Sequence, residues 1–187
     1  GENTGTEQFS RMKEGESLFI VGPLGNGFPL EEAKGKKAFL MGGGIGVPPI
    51  LELAKEMDCE KKQIIAGYRD RQTFLREEFE KNGELFISTE DGSVGVKGNV
   101  LDAVRECGLE ADIIFACGPT PMLRAIKQYA EEKGITCYIS LEERMACGIG
   151  ACLGCVCKTK EKDAHSNVNN KRICKDGPVF LSTEVEI

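Results

Sequence analysis

The chain has 187 residues and a net charge of −6, and 41% of its residues are hydrophobic. This composition is typical of a soluble globular protein, and the negative charge argues against nucleic-acid binding. No apolar run approaches the roughly 18 residues that a membrane helix needs, and no signal segment opens the chain, so we expect a cytoplasmic protein outside the membrane. The single histidine, His165, is expected at the surface, which leaves little room for catalysis by a histidine base.

The first 36 residues predict irregular structure with short strands. The apolar run at residues 18–21 has the length of a strand. A turn-rich stretch follows at residues 22–28, where three glycines and a proline interrupt the chain. Too few strands fit into this segment for it to close a barrel by itself.

Residues 37–140 alternate between strand-type and helix-type patterns. Strands are predicted at residues 38–41, 63–68, 84–88, 112–117 and 136–140, and helices at residues 49–57, 73–80, 99–106 and 120–133. Thr73 is a possible cap for the second helix, and Gly134 closes the last one. The alternation predicts an α/β fold with a doubly wound, five-stranded parallel sheet that is covered by helices on both faces.

The loop after the first predicted strand is rich in glycine. Glycines let the backbone approach a pyrophosphate closely, and the N-terminus of the following helix offers free N–H groups. A tight turn used only for packing is the alternative interpretation, but the strand before the loop and the helix after it favour nucleotide binding. The candidate contacts in this loop are Gly42, Gly43, Gly44, Ile45, Gly46 and Pro48.

Other nucleotide-site candidates follow the later strands, because ligands of such sheets bind at the carboxyl ends of the strands. Arg69 could attract the 2′-phosphate of NADP, whereas Asp70 could repel it. The loop at residues 89–93 is either a cofactor-side loop or a plain polar turn, and the segment at residues 117–119 is either a cofactor contact or a buried cysteine before a turn. The candidates here are Tyr68, Arg69, Asp91, Cys117, Gly118, Pro119 and Met122.

Five of the nine cysteines crowd the last forty or so residues. Cys147, Cys152 and Cys155 have the C-x4-C-x2-C spacing of plant-type [2Fe-2S] proteins, which also use a distant fourth cysteine, here Cys174. Gly148, Gly150 and Gly154 lie between these cysteines and permit the tight turns that such a loop needs. A structural zinc site is the alternative, although zinc prefers two short cysteine knuckles. Cys157 is interpreted as a non-ligand, and a swap with Cys155 stays open.

Five motifs occur in a recognisable order, at residues 22–28, 42–49, 117–119, 143–152 and 174–180. Together they resemble the electron-transfer subunits of class 1B dihydroorotate dehydrogenase, whose nucleotide domain is similar to that of ferredoxin reductases. The resemblance covers essentially the whole chain. It implies a remnant of an FAD-binding barrel at residues 1–36, an NAD-binding domain at residues 37–140 and a [2Fe-2S] domain at residues 141–187.

The resemblance also implies a function. NAD(H) would exchange a hydride with FAD, and the cluster held by Cys147, Cys152, Cys155 and Cys174 would relay single electrons to the FMN of a partner catalytic subunit, in a heterotetramer. Gly5 and Thr6 would contact the flavin phosphate. The rest of the family's flavin barrel has no counterpart, so we expect this chain to bind FAD poorly. Alternatives are a subunit of another NAD(P)H-linked reductase, of the sulfide dehydrogenase or ferredoxin:NADP reductase type, and a non-enzymatic zinc-stabilised module.

Overall fold

The computed structural model describes residues 4–162 and 167–187, so the prediction for His165 lies outside the described residues. Within these ranges the α-helices are α1 (Gly5–Arg11), α2 (Val47–Glu56), α3 (Arg76–Glu80), α4 (Val100–Glu106) and α5 (Thr120–Lys133). The strands are β1 (Lys37–Gly43), β2 (Lys61–Tyr68), β3 (Glu84–Thr89), β4 (Val96–Lys97), β5 (Ile113–Cys117), β6 (Thr136–Ser140), β7 (Val156–Thr159), β8 (Asn170–Arg172), β9 (Val179–Leu181) and β10 (Val185–Glu186). Short 3-10 turns lie at Leu30–Ala33 and Gly44–Gly46.

A seven-stranded sheet forms the centre of the fold, with strand order β4-β3-β2-β1-β5-β6-β9. All of its neighbours run parallel except β6 and β9, which are antiparallel. The predicted α/β fold and its five parallel strands are confirmed. The sheet also has two short edge strands, β4 and β9, that the sequence pattern did not predict.

Helices cover both faces of this sheet, as predicted. Along β1, Ala38 and Leu40 face the side where α2 and α3 pack, whereas Phe39 and Met41 face α4 and α5. These four side chains are fully buried. Burial of one large apolar side chain contributes about 1.5–3 kcal/mol to the free energy of folding. Because both faces of such a strand are buried, its sequence is a continuous apolar run.

Three helices begin or end through recognisable local chemistry. Helix α2 begins two residues before its predicted start, with prolines in its first turn, where no N–H is needed. Helix α4 has a capping box, in which Asn99 and Asp102 bond each other's backbone N–H groups. Helix α5 ends at Gly134, which has a φ of 67°, so the predicted closing glycine is confirmed.

The helix predicted at residues 73–80 is shorter in the structure, where it spans Arg76–Glu80. The prediction that Thr73 caps it is wrong. Helix α3 follows Leu75, which has a left-handed φ of 62°, and no side chain forms a capping hydrogen bond at this end of the helix. The Tyr68 hydroxyl donates to the Phe74 carbonyl at 2.7 Å, and the two rings pack edge to face. This tertiary contact is associated with a non-helical backbone before α3.

The strand predicted at residues 18–21 is also wrong. Phe19 and Ile20 are almost fully exposed, and the described residues pair no strand with them. The regular element that this N-terminal segment does contain is α1, capped by the Thr4 hydroxyl. An apolar run forms a strand only where a neighbouring strand offers hydrogen bonds and other residues bury its side chains. Residues 18–21 lack both among the described residues, which explains why the predicted strand does not form.

Residues after 141 contribute to two sheets. β10, β7 and β8 form a small antiparallel sheet, in which β7 pairs with both of the others. β9 instead joins the large sheet beside β6. Lys127 on α5 donates to the carbonyls of Ser182 and Val185, which ties the connection between β9 and β10 to that helix. None of the helices in the described ranges is both long and apolar enough to cross a membrane.

Candidate functional site

A cleft of about 520 Å³ opens at the carboxyl edge of the large sheet. It lies between the loop after β1, the ends of β2 and β3, and the N-termini of α4 and α5. This is where open α/β sheets bind their ligands. The predicted residues that line it together are Gly43, Gly44, Tyr68, Arg69, Pro119 and Met122.

The glycine loop approaches the end of β5 so closely that a side chain would not fit. A Cβ added at Gly46 would lie 2.1 Å from the Cys117 carbonyl oxygen and 2.7 Å from the Gly118 nitrogen. Gly44 has a φ of +55°, in the left-handed region that favours glycine. The loop therefore holds an open backbone surface ahead of α2, suited to an anionic group.

Several predicted residues lie around the cleft rather than in its lining. Gly42 and Gly46 lie behind it in close backbone packing, and Ile45 is exposed at the tip of the turn. Pro48 is in the first turn of α2. Gly118 lines a second cleft, which shares Pro119 with the first.

Cys117 is half-buried at the end of β5, opposite Ser140 of β6. Burial raises the pKa of its thiol, and a hydrogen bond with Ser140 opposes the shift. A neutral thiol at the carboxyl edge adds no charge to the region where a ligand would lie.

The loop after β3 gives its two acidic residues, Glu90 and Asp91, different surroundings. The Asp91 carboxylate accepts the Ser93 N–H at 2.9 Å, and hydrogen bonds from Ser93 lower its pKa. Asp91 therefore closes a turn. Its neighbour Glu90 lines the cleft instead, together with Arg69, which carries the opposite charge. Sequence reasoning missed Glu90 because both acids follow the same strand and only the turn decides which one faces inward.

Gly67 and Asn99 also line the cleft and were not predicted. A Cβ at Gly67 would lie 2.9 Å from Val100 and 3.5 Å from the Ser88 hydroxyl, so α4 packs directly on β2 here. The Ser88 hydroxyl is buried and is the one such side-chain atom without a hydrogen-bond partner in residues 4–162 and 167–187. The helix-capping pattern at Asn99 was the sequence signal that could have placed this helix start at the cleft.

Gly5 and Thr6, predicted as flavin contacts, lie in α1. This helix buries none of its residues, and the Thr6 hydroxyl is 3.1 Å from that of Thr4. Neither residue is among those that line the cleft.

The four candidate ligand cysteines form two pairs. The pKa of Cys147 is lowered to about 6, first by the N–H groups of Cys152 and Ile149 and then by a hydrogen bond with the Cys152 thiol. The pKa of Cys174 is raised, first by a hydrogen bond with the Cys155 thiol and next by burial. The geometry shows the same two pairs, because the Cys152 N–H donates to Cys147 Sγ at 3.4 Å and the Cys174 N–H donates to Cys155 Sγ at 3.4 Å.

Backbone N–H groups point at these sulfurs. Ala151 donates to Cys147 Sγ at 3.3 Å, Gly154 donates to Cys152 Sγ at 3.4 Å, and Cys174 donates to Cys155 Sγ at 3.4 Å. Positive φ values at Gly148 and Gly150 shape the loop as expected, and the third such residue is Leu153 rather than Gly154. N–H groups directed at sulfur stabilise thiolates and a negatively charged cluster.

The arrangement fits a two-iron cluster in its donor set. Among the described residues, no three histidine, cysteine or acidic side chains are arranged around one metal ion. Two thiol pairs are what a [2Fe-2S] cluster with four cysteine ligands requires, because each iron takes two thiolates. Cys157 lies on β7 and lines the second cleft, of about 660 Å³, between α5 and the small sheet.

The fourth cysteine is held by the turn-rich N-terminal motif. Asn26 donates its backbone N–H to the Gly177 carbonyl, and its side-chain amide donates to the carbonyls of Lys175 and Asp176. Gly25 is in contact with the same turn, where a Cβ would lie 2.2 Å from the Gly177 oxygen. The motif at residues 22–28 therefore positions the turn that follows Cys174.

Known proteins with similar sequences carry related names. A family model described as the iron-sulfur cluster binding domain of dihydroorotate dehydrogenase B matches residues 142–186. The "dihydroorotate dehydrogenase B (NAD(+)), electron transfer subunit" of Caldanaerobacter subterraneus subsp. tengcongensis is 50% identical over 181 residues, covering 97% of this chain and 71% of that protein. The subunit of the same name from Geobacillus sp. is 46% identical over 190 residues, covering 98% and 71%.

Solved structures share the fold. One chain of the NADH-dependent reduced ferredoxin-NADP oxidoreductase, a structure concerned with flavin-based electron bifurcation, has a TM-score of 0.81 at 31% identity. That match covers 98% of this chain and 65% of the other. The C-terminal domain of the PF1911 hydrogenase from Pyrococcus furiosus, at 21% identity and a TM-score of 0.51, shows a likeness of fold alone.

Proposed function

Because this chain belongs to the family of dihydroorotate dehydrogenase B (NAD(+)) electron transfer subunits, we propose that it passes electrons between NAD(H) and a dihydroorotate-oxidising catalytic subunit. FAD and a [2Fe-2S] cluster are the intermediate carriers. The observation that carries the proposal is the pairing of Cys147 with Cys152 and of Cys155 with Cys174, with backbone N–H groups directed at three of the four sulfurs.

The cluster ligands are Cys147 and Cys152 for one iron and Cys155 and Cys174 for the other. A bound cluster supplies one-electron transfer, which thiols and carboxylates cannot provide. The chain holds the four sulfurs, directs N–H groups at three of them and shields Cys155 and Cys174, which are 2% and 4% exposed. Burial and hydrogen bonding at sulfur are the means by which a protein sets a cluster's potential.

The dinucleotide occupies the cleft at the carboxyl edge of the large sheet. The glycine loop and the first turn of α2 receive the pyrophosphate, and the neutral Cys117 thiol and Gly118 flank the nicotinamide end. Arg69 and Glu90 line the part of the cleft where the adenine ribose lies. Glu90 would repel a 2′-phosphate, which favours NAD(H) over NADP(H).

FAD is the proposed carrier between NAD(H) and the cluster, and residues 1–36 are proposed as the remnant of its barrel. Gly5 and Thr6 are exposed on α1, so this chain offers the flavin little enclosure and should bind it poorly. Stoichiometric, tight FAD binding by this chain would contradict that part of the proposal.

The partner is an FMN-containing catalytic subunit, joined in a heterotetramer, and the compartment is the cytoplasm. All nine cysteines are free in this structure, and clustered free thiols suit a reducing compartment.

Iron, acid-labile sulfide and visible absorption, measured on anaerobically prepared protein, test the cluster assignment. We expect two irons and two sulfides per chain, and their loss in Cys174→Ser but not in the matched variant Cys157→Ser. A colourless protein with one zinc would refute the assignment and support a zinc-stabilised module.

A coupled assay tests the physiological reaction. The FAD-loaded protein, mixed with the catalytic subunit, should support dihydroorotate-dependent reduction of NAD⁺. The ferredoxin-NADP oxidoreductase neighbour makes a second reductase function the alternative. Turnover with ferredoxin and NADP(H), and none with dihydroorotate, would favour that alternative.

A further inference from the structure

Arg172 connects the two loops that carry the cysteine pairs. It lies two residues before Cys174, and its Nε and Nη2 donate to the two Asp176 carboxylate oxygens at 2.9 and 3.1 Å. Its third nitrogen, Nη1, donates to the Gly150 carbonyl at 3.3 Å. One guanidinium thus bonds the turn around Cys174 on one side and the loop between Cys147 and Cys152 on the other.

The turn around Cys174 closes on Arg172 through the backbone as well. The Arg172 N–H donates to the Asp176 carboxylate at 2.8 Å, and the Arg172 carbonyl accepts from Lys175, Asp176 and Gly177. Both side chains of the ion pair are about 30% exposed, so water reaches them only in part. Asp176 and Arg172 therefore form a partly shielded pair that defines the shape of the turn.

Gly150 receives this contact at a position where the loops pack tightly. A Cβ at Gly150 would lie 2.8 Å from the Lys175 side chain, and its φ is +82°. The backbone N–H of Gly150 also faces the Cys174 thiol and opposes the rise of its pKa. The segment that accepts from Arg172 therefore also lies beside the fourth cysteine.

Arginine suits this position for a geometric reason. Its planar fork binds a carboxylate with two N–H groups and still presents a third donor, whereas lysine offers a compact point charge. The contact to Gly150 therefore depends on the bidentate contact to Asp176, because that contact fixes the plane of the guanidinium.

We propose that Arg172 is a positioning residue for the cluster, which fixes the spacing between the two cysteine pairs and, with Asp176, adjusts the reduction potential. The proposal rests on the proposed function, since it requires the [2Fe-2S] cluster. A guanidinium beside the loop stabilises the more negative, reduced state, and the Asp176 carboxylate has the opposite effect.

Three variants separate the geometric role from the electrostatic one. Arg172→Lys keeps the charge and loses the fork, so we expect the potential to stay close to that of the parent while the cluster is lost about tenfold faster under chelator. Arg172→Gln leaves Asp176 unpaired and should lower the potential. Asp176→Asn removes the negative charge beside Arg172 and should raise the potential.

Redox titration followed by electron paramagnetic resonance, together with the rate of iron loss to a chelator, provides the readouts. Arg105→Gln is the matched control, because Arg105 forms a similar ion pair with Asp102 on α4, outside the cysteine loops. It should leave the potential and the rate of iron loss unchanged.

Opposite shifts of potential in Arg172→Gln and Asp176→Asn are the signature of the electrostatic role, because loosening the turn alone would move both variants in the same direction. Shifts of the same sign, or iron loss in Arg172→Lys at the parent's rate, would overturn the proposal. A parent protein that holds no iron and sulfide would instead overturn the proposed function itself.

Discussion

Replacing Gly46 by alanine tests whether the glycine loop and the end of β5 are in direct backbone contact. The added Cβ would lie 2.1 Å from the Cys117 carbonyl oxygen and 2.3 Å from its carbon, whereas such contacts are essentially never shorter than 3.0 Å. The neighbouring atoms belong to the backbone, so no side-chain rotation can relieve the clash. The loop and the strand end must separate by about 1 Å in a tightly packed interior.

The cost of this substitution follows from two opposing effects. Overpacking of a tightly packed site destabilises a protein by about 1–3 kcal/mol. Gly46 has an ordinary φ of −75°, so alanine is conformationally allowed there and reduces the entropy of the unfolded chain, which returns about 0.4–1 kcal/mol. We expect a net loss of about 1–2 kcal/mol in the free energy of unfolding.

The assay compares denaturant unfolding and NADH titration of the cluster-loaded protein with those of Gly27→Ala. Gly27 has no atom within 4 Å of its added Cβ and no positive φ, so its variant should change stability by less than about 0.5 kcal/mol. Because Gly43 and Gly44 of the displaced loop line the cleft, NADH affinity should fall about tenfold in Gly46→Ala. A Gly46→Ala protein with the unfolding midpoint and NADH affinity of the control would refute the close contact.

Three further outcomes are expected. Asn99→Ala, which removes the capping box of α4, should lower the free energy of unfolding by about 1 kcal/mol, and Asn99→Asp should not. Iodoacetamide should label the exposed Cys107 in the native protein and spare the buried Cys137, and labelling of Cys137 in the native protein would contradict its burial. Burial raises the pKa of Cys137 from 9.0 to about 12 in the folded protein. Because the thiol ionises first in the unfolded chain, the free energy of unfolding should fall as the pH rises past 9.0. Cys157→Ser should keep the visible absorption of the cluster and Cys155→Ser should lose it, and the reverse result would exchange the two assignments.

The central strands of the sheet were predictable because each is an apolar run that is buried on both faces. β9 was not, because its pairing with β6 joins residues about forty positions apart, with Ser140 opposite Val179. Its three residues resemble any short apolar segment near a turn. The start of α3 was missed for a different reason, since Tyr68 at the end of the preceding strand bonds the Phe74 carbonyl, and the helical pattern does not reveal this local contact.

The cluster loop was predictable because three of the four candidate ligands lie within nine consecutive residues, at a spacing that the geometry of the cluster restricts. The lining of the cleft was predictable only in part. Its glycines follow from the strand-loop-helix pattern, but the choice of Glu90 over Asp91 depends on the Asp91 turn. The function of residues 22–28 became clear only from Asn26, which bonds a turn about 150 positions later in the sequence.

The register of the large sheet connects the two candidate sites mechanically. Cys117 at the end of β5 is opposite Ser140 of β6, and Ser140 is opposite Val179 of β9. Neighbouring strands are about 4.8 Å apart, so roughly 10 Å of hydrogen-bonded sheet separates Cys117 from the residue that begins β9. The Leu141 N–H donates to the Pro178 carbonyl at 2.9 Å, which extends this connection into the turn after Cys174. Because backbone pairs rather than side chains make each link, the distance between the dinucleotide end of the cleft and the fourth cysteine is fixed by the sheet.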